Sequence, residues 1–353
     1  MSMFYPDRAD SAYFGWALAR SWGQLYTGTC EGADITGYEK PYRDFEKKNM
    51  RFYTAPRKLA DVSFYFSQNT RDFTAKSMDC SMLPFMAQMQ ACYVSGLGVD
   101  MVLETDSAEE LARHPRIAAS HVAMASDEEV ARLAEYVKNG GELILSGNFA
   151  VYRADGSRRT AQEIDAVFGA ALPKEGEAVR IGAGSVHRLA QVDSLAEFQP
   201  TIWSYRWVVD PEPAEATPSK WEMQRSGSGA LYRALVEAPV LEAACENRRV
   251  IATGFQVECG AAIHLINLAD TISEKPGAAQ HKDIIPNFTE NGAPVPEVKV
   301  TLRKPQGFAA ARAALYTPER AEATPLTVED AGDRLTITVP GGLFSGYALI
   351  GIE

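Results

Sequence analysis

Residues 117–147, IAASHVAMASDEEVARLAEYVKNGGELILSG, decide the fold of this chain. Ile117–Met124 reads as a strand, and Ser126-Asp-Glu-Glu129 has the spacing of a capping box, in which a hydroxyl and a carboxylate satisfy the first free N–H groups of a helix. Val130, Leu133, Ala134 and Val137 then recur at helical spacing, so one stripe of the helix is buried. Gly140-Gly141 stops that helix, and Glu142–Ser146 returns to a short apolar strand. A strand, a helix and a strand joined this closely form a βαβ unit, whose strands run parallel.

The same alternation extends in both directions. Upstream, Ala60–Ser67 is a strand with Val62, Phe64 and Phe66 on one face, and Ser81 caps a helix with Pro84 in its first turn. Val99–Leu103 is the next strand, and Ser107-Ala-Glu-Glu110 is a second capping box. Downstream, after a turn at Asp155-Gly156, a helix runs from about Thr160 to Phe168. The pattern predicts a parallel sheet covered on both faces, hence an α/β domain over residues 59–172.

Three other regions flank it. Residues 1–58 form an aromatic-rich helical segment, with helices over Ala12–Trp22 and about Pro41–Tyr53 that must pack on another element. Residues 173–244 are a loop-rich connection containing Pro200, Pro211, Pro213 and Pro218, with a short helix near Gly229–Glu237. Over residues 245–353 the period switches to two. Arg249–Val257, Ala261–Leu268, Glu297–Leu302, Ala311–Tyr316, Leu326–Glu329, Arg334–Val339 and Tyr347–Ile352 read as strands of a β-sandwich.

Composition narrows the function. Of the 353 residues 46% are hydrophobic and 23% charged, an ordinary globular balance, and the net charge of −11 argues against nucleic acid or an anionic membrane as partner. No apolar run is long enough to span a bilayer, and the first residues lack a secretory layout. The five cysteines are scattered without a CxxC pair, and the five histidines are isolated. A reducing compartment, the cytoplasm, is therefore expected, with no disulfide framework and no zinc cluster. The glycine pairs Gly140-Gly141 and Gly182-Ala-Gly184 match no phosphate-binding pattern, so no cofactor is expected.

A parallel sheet carries its functional loops beyond the carboxyl ends of its strands. The first such loop, Ser67-Gln-Asn69-Thr-Arg71-Asp72, offers amides, a guanidinium and a carboxylate that suit a sugar or the loop of a neighbouring domain; an Arg71–Asp72 network that only fixes the loop is the plainer reading. The turn after the fourth strand carries Asn148 where covalent catalysis would need a thiol with a histidine in reach. Trp16 and Trp22 could stack on a sugar beside Glu31, Asp34 and Glu39, although these acids suit loop or surface positions as well. Cys92 falls on a core face, and His187 and His264 read as satisfied structural histidines.

Taken together, residues 59–72 (LADVSFYFSQNTRD), Val99–Glu104 and the run YVKNGGELILSG resemble the trimerisation domain of β-galactosidase-type glycoside hydrolases. Residues 151–156 (VYRADG) strengthen the likeness, and AAIHLINLADT and LTITVPGGLFSGYALIGIE look like the β-domain that ends these enzymes. Tyr38–Tyr53 resembles the closing helix of their catalytic barrel. The resemblance implies a flavodoxin-like, class I amidotransferase-like α/β domain without its nucleophile, followed by a β-sandwich. It also implies a homo-oligomer when the whole enzyme is present, and a carbohydrate partner. The family's catalytic glutamates belong to barrel strands that precede everything seen here, so no residue of this chain inherits their role. Two other readings stay open: a stand-alone carbohydrate-binding or scaffold protein using Trp203, Tyr205 and Trp207, and an amidotransferase-like enzyme using Cys80.

Overall fold

A computed structural model describes residues 2–4, 9–28, 36–74, 82–190, 220–247, 249–268, 292–305, 308 and 312–353. These residues divide into two compact units, one built from the two ends of the chain and one from its middle, with the break after Leu59 and the return at Pro239.

The chain opens with β1 (Ser2–Phe4), α1 (Ala9–Ser21), β2 (Tyr26–Gly28), α2 (Thr36–Lys48), a single 3-10 turn (Met50–Phe52) and β3 (Arg57–Leu59). The middle unit follows, with β4 (Val62–Phe66), α3 (Gln68–Phe73), α4 (Met82–Val94), β5 (Val99–Leu103), α5 (Ala108–Leu111), β6 (Arg116–Ser120) and α6 (Asp127–Lys138). It continues through β7 (Glu142–Ser146), α7 (Ala161–Phe168), β8 (Ala178–Ile181), β9 (Gly184–Arg188), α8 (Lys220–Ser226) and α9 (Ser228–Leu235).

The six strands of this unit lie in the order β5-β4-β6-β7-β9-β8, all parallel except β8, which runs antiparallel to β9 at the edge. The expected capping boxes form at Ser107/Glu110 and Ser126/Glu129, and a third forms at Thr160/Glu163. Both faces of the sheet are covered, because successive side chains of a strand point to opposite sides. Phe64 packs on Phe85 of α4 and Tyr232 of α9. Its neighbour Tyr65 points the other way and donates to Glu129 of α6. Val130, Leu133 and Val137 of α6 join Ile117, Leu143 and Leu145 in one core.

Three stretches differ from the sequence expectation. Residues 173–244 are not one connection: β8, β9, α8 and α9 belong to the α/β unit, where α8 and α9 pack on α4. Gln68–Phe73, expected as a loop, is a short helix whose N-cap Ser67 accepts from the Thr70 N–H. The third strand ends at Ser120 rather than Met124, because His121 turns the chain with a φ of 53°.

The terminal unit is completed by β10 (Leu241–Cys245), β11 (Val250–Val257), β12 (Gly260–Asn267), β13 (Val298–Arg303), β14 (Ala313–Tyr316), β15 (Thr324–Asp330), β16 (Arg334–Val339) and β17 (Tyr347–Ile352). A sandwich of two separate sheets was expected. The strands instead form one antiparallel ladder in the order β10-β13-β16-β15-β14-β17-β12-β11-β3. The joint is β15, which pairs with β14 through Thr324–Leu326 and with β16 through Thr327–Asp330. The ladder curls far enough that Leu241 of β10 and Leu59 of β3 both stand over Gly254 of β11. Val300, Leu302, Ile337, Ile263 and Ile350 fill the enclosed core. Each buried aliphatic side chain of this size contributes about 1.5–3 kcal/mol of hydrophobic stabilisation.

The N-terminal aromatics do find a partner, as their number required. Trp16 of α1 meets Tyr347 of β17 with ring centroids 4.8 Å apart and lies stacked against Tyr42 of α2. Phe52 rests on Gly351, where a β-carbon would come within 2.1 Å of its ring. Beneath them Arg20 and Glu46 form a buried ion pair, and Trp16 Nε1 donates to the same carboxylate oxygen, each at 2.5 Å. No helix among the described residues is long and apolar enough to cross a membrane.

Candidate functional site

In the α/β unit β4 lies between β5 and β6, so the chain leaves β4 to one side and returns past it to the other. That reversal opens a crevice at the carboxyl ends of β4 and β6, where ligands of open α/β sheets bind. A recess with room for about one water molecule, 20 Å³, occupies this place and is open to solvent. Its walls are apolar at Phe66, Phe85 and Val122, and polar at Ser67, Thr70, Arg71, Ser120 and His121.

Two of the polar groups are already used. Ser67 Oγ donates to the Met124 carbonyl at 3.0 Å and accepts from Thr70 N. Thr70 Oγ1 donates to the same carbonyl at 2.7 Å and accepts from Met124 N at 3.0 Å. This double clamp ties α3 to the turn after β6. Tyr65, which also lines the recess, sends its hydroxyl away to Glu129.

Three groups remain. Ser120 is buried, and its hydroxyl has no hydrogen-bond partner among the described residues. Such a group costs about 1–3 kcal/mol unless something completes it. His121 is half-buried in the left-handed region of backbone space, a sparsely populated conformation that clusters at functional sites. Burial pushes its imidazole below the ordinary range, so the ring is neutral near pH 7. Arg71 is exposed at the mouth and, among the described residues, is held by its chain neighbour Asp72, at 2.7 Å. Arg71 and Gln68 in turn keep the Asp72 carboxyl below the usual carboxylate range.

The structure thus brings together some of the expected residues and separates others. Arg71 and Asp72 form the anticipated pair at the crevice. Asn69 turns from it: its amide donates to Glu129 at 2.9 Å and lies 3.5 Å from Glu104. Asn148 is exposed after β7, and no helix follows it until α7, so the turn there is not the tight strand-to-helix bend that positions a nucleophile. Trp16 is fully enclosed, which removes any face a sugar could stack on, and Trp22 is half-buried in the turn that ends α1. Glu31, Asp34, Cys80, Trp203, Tyr205 and Trp207 lie outside the described residues. Cys92 is buried with its thiol pushed up by desolvation, and His187 and His264 are hydrogen-bonded to Ser185 and Tyr347.

His121 and Ser120 were not singled out from the sequence. The available signal was their place at the carboxyl end of a parallel strand. Chemically the arrangement suits binding. A covalent relay needs a nucleophile hydrogen-bonded to a base and an acid that orients the base. Among the described residues Ser120 and His121 share no such bond, and no carboxylate meets the imidazole.

No protein-family model matches the chain, and no curated protein matches it. Solved structures do. The chain is similar to the α-L-fucosidase isoenzyme 2 from Paenibacillus thiaminolyticus, with a TM-score of 0.58 and 13% identity over 98% of this chain and 57% of that one. It is similar to the β-galactosidase from Bacillus circulans sp. alkalophilus, with a TM-score of 0.53 and 10% identity over 92% of this chain and 46% of that one. The β-galactosidase from Rahnella sp. R3 matches at a TM-score of 0.52 and 10% identity, over 99% of this chain and 52% of that one. The chain therefore spans about half the length of these structures, and the likeness is one of fold. The fold is glycoside-hydrolase-like.

Proposed function

We propose that this chain is a non-catalytic portion of a glycoside-hydrolase-related protein, serving assembly and the support of a carbohydrate-binding site. The observation that carries the reading is the combination of units on one chain. An aromatic helix pair closes on a curled antiparallel sheet, with a parallel α/β unit inserted between them in the sequence, and a fucosidase structure is similar over 98% of the chain and 57% of its own length. The α/β unit is then a flavodoxin-like domain of the class I amidotransferase type that has lost its nucleophile. Its strand order around β4 supports this, as does the absence of a thiol at Asn148 and at the strained turn of His121. In this role the domain contributes contacts of a homo-oligomer, and the carboxylates that cut the glycosidic bond come from outside this chain.

The test is direct. The purified full chain is assayed on a panel of aryl β-galactosides and aryl α-L-fucosides while its mass is followed by sedimentation equilibrium. No turnover above the buffer rate is expected, and a mass that is a multiple of the single chain would place assembly contacts within it. Robust turnover that Glu31→Gln abolishes would overturn the reading, and so would an amidase activity lost in Cys80→Ala.

A further inference from the structure

The crevice beside β4 and β6 has a particular chemistry once its satisfied groups are set aside. Ser67, Thr70 and Tyr65 spend their hydroxyls on Met124 and Glu129. Among the described residues, the remaining polar lining is Arg71, His121 and Ser120, whose buried hydroxyl has no partner among those residues, set against Phe66, Phe85 and Val122. Among the described residues no carboxylate lines the recess. We infer that it binds the carboxylate group of a small organic acid, with Arg71 taking the two oxygens and Ser120 donating to one of them.

Four observations support this. A guanidinium presents two parallel N–H groups that match a carboxylate, and such charge-assisted pairs are stronger and more directional than neutral hydrogen bonds. Arg71 is available, because its present partner Asp72 is an adjacent, exposed residue and the side chains of the pair are 45% and 58% accessible. An exposed pair of this kind is weak, so a ligand carboxylate can replace Asp72 at little loss. Ser120 lines the recess, and its buried hydroxyl has no hydrogen-bond partner among the described residues, which leaves it a donor for an acceptor that enters. The open recess of about 20 Å³ has room for one water-sized group, so a single carboxylate oxygen enters it, and the other oxygen and the rest of the ligand stay at the mouth beside Arg71, Phe66 and Phe85. Acetate binding would need neither a catalytic barrel nor an oligomer, so it can fail or succeed apart from the assembly role.

The full chain is titrated at constant ionic strength with sodium acetate, sodium glucuronate, sodium phosphate and glucose, with binding read by calorimetry and by the side-chain NMR signals of His121. Saturable binding of acetate and glucuronate is expected, with none of glucose. Arg71→Gln weakens it about tenfold, and Ser120→Ala weakens it several-fold. Asp72→Asn strengthens it about threefold, because the competing carboxylate is gone. Glucuronate bound much more tightly than acetate identifies an acidic sugar as the source, and equal affinities identify the carboxylate alone as the recognised group. Both outcomes support the assignment. It is overturned if glucose or phosphate binds as well as glucuronate, if Arg71→Gln with an unchanged far-UV spectrum keeps its affinity within twofold, or if no carboxylate binds saturably.

Discussion

The imidazole of His121 lies directly across Gly147, so close that a β-carbon on the glycine would stand 2.5 Å from the ring. The two residues terminate the adjacent parallel strands β6 and β7, and both hold positive φ, 53° and 64°. The His121 N–H also donates to the Ser146 carbonyl at 2.9 Å, so the two turns are locked to each other. The left-handed histidine at the crevice is therefore held by the absence of a side chain one strand away.

Gly147→Ala should cost about 1–3 kcal/mol, from the strained φ and from forcing the imidazole aside. His121→Gly removes both the ring and the strain at its own position, so the double variant should lose less than the two single changes added together. Urea unfolding of the four proteins measures the coupling, and strict additivity would show that the two turns act independently.

Glu46 carries three contacts in the terminal unit: Arg20 at 2.5 Å, Trp16 Nε1 at 2.5 Å and Arg43 at 3.8 Å. Removing one partner of a buried pair strands the other charge, so Glu46→Ala should destabilise by about 3–5 kcal/mol. Glu46→Gln keeps an acceptor for Trp16 and should cost less. The change in thermal unfolding midpoint, with Trp fluorescence as the probe, orders the two variants.

Glu129 does a similar task in the α/β unit. It accepts from Ser126 N at 2.7 Å, Tyr65 Oη at 3.0 Å and Asn69 Nδ2 at 2.9 Å, joining α6, β4 and α3. Glu129→Ala leaves three donors without this acceptor and should cost at least about 1–3 kcal/mol. Hydrogen exchange should then accelerate in α3 and in the first turn of α6 before the rest of the sheet; uniform acceleration would contradict this.

His264 sets a pH dependence. Burial, with Arg20 and Lys58 nearby, pushes its imidazole down to about 3, whereas in the unfolded chain it titrates near 6.5. The unfolded state therefore binds the proton first. The stability associated with neutral His264 is complete above about pH 6.5 and falls as pH drops toward 3, by about 1.4 kcal/mol per pH unit. Between pH 7.5 and 5.5, above most carboxylate titration, His264→Gln should show a flatter stability profile than the parent chain. Parallel profiles from urea melts would exclude the histidine as the source.

What the sequence determined by itself is local. The alternation of helix and strand, the capping boxes at Ser107 and Ser126, and the period-two pattern after Arg249 are written in neighbouring residues, because hydrogen-bond spacing and side-chain direction repeat within one element. The aromatic load of α1 and α2 even required a distant partner, though it could not name Tyr347 and Gly351. Elements whose pattern is short or polar were not legible: β3, β8 and β10 are three to five residues long, and α3 is a polar hexapeptide whose helix depends on Met124. The tertiary structure alone decided which residues meet. It buried Trp16, turned Asn69 toward Glu129 and merged the expected sandwich into a single ladder through β15. It also placed Ser120, His121 and Arg71 around one opening. A side chain's chemistry is set by what surrounds it, and in a parallel sheet those surroundings come from strands far apart in sequence.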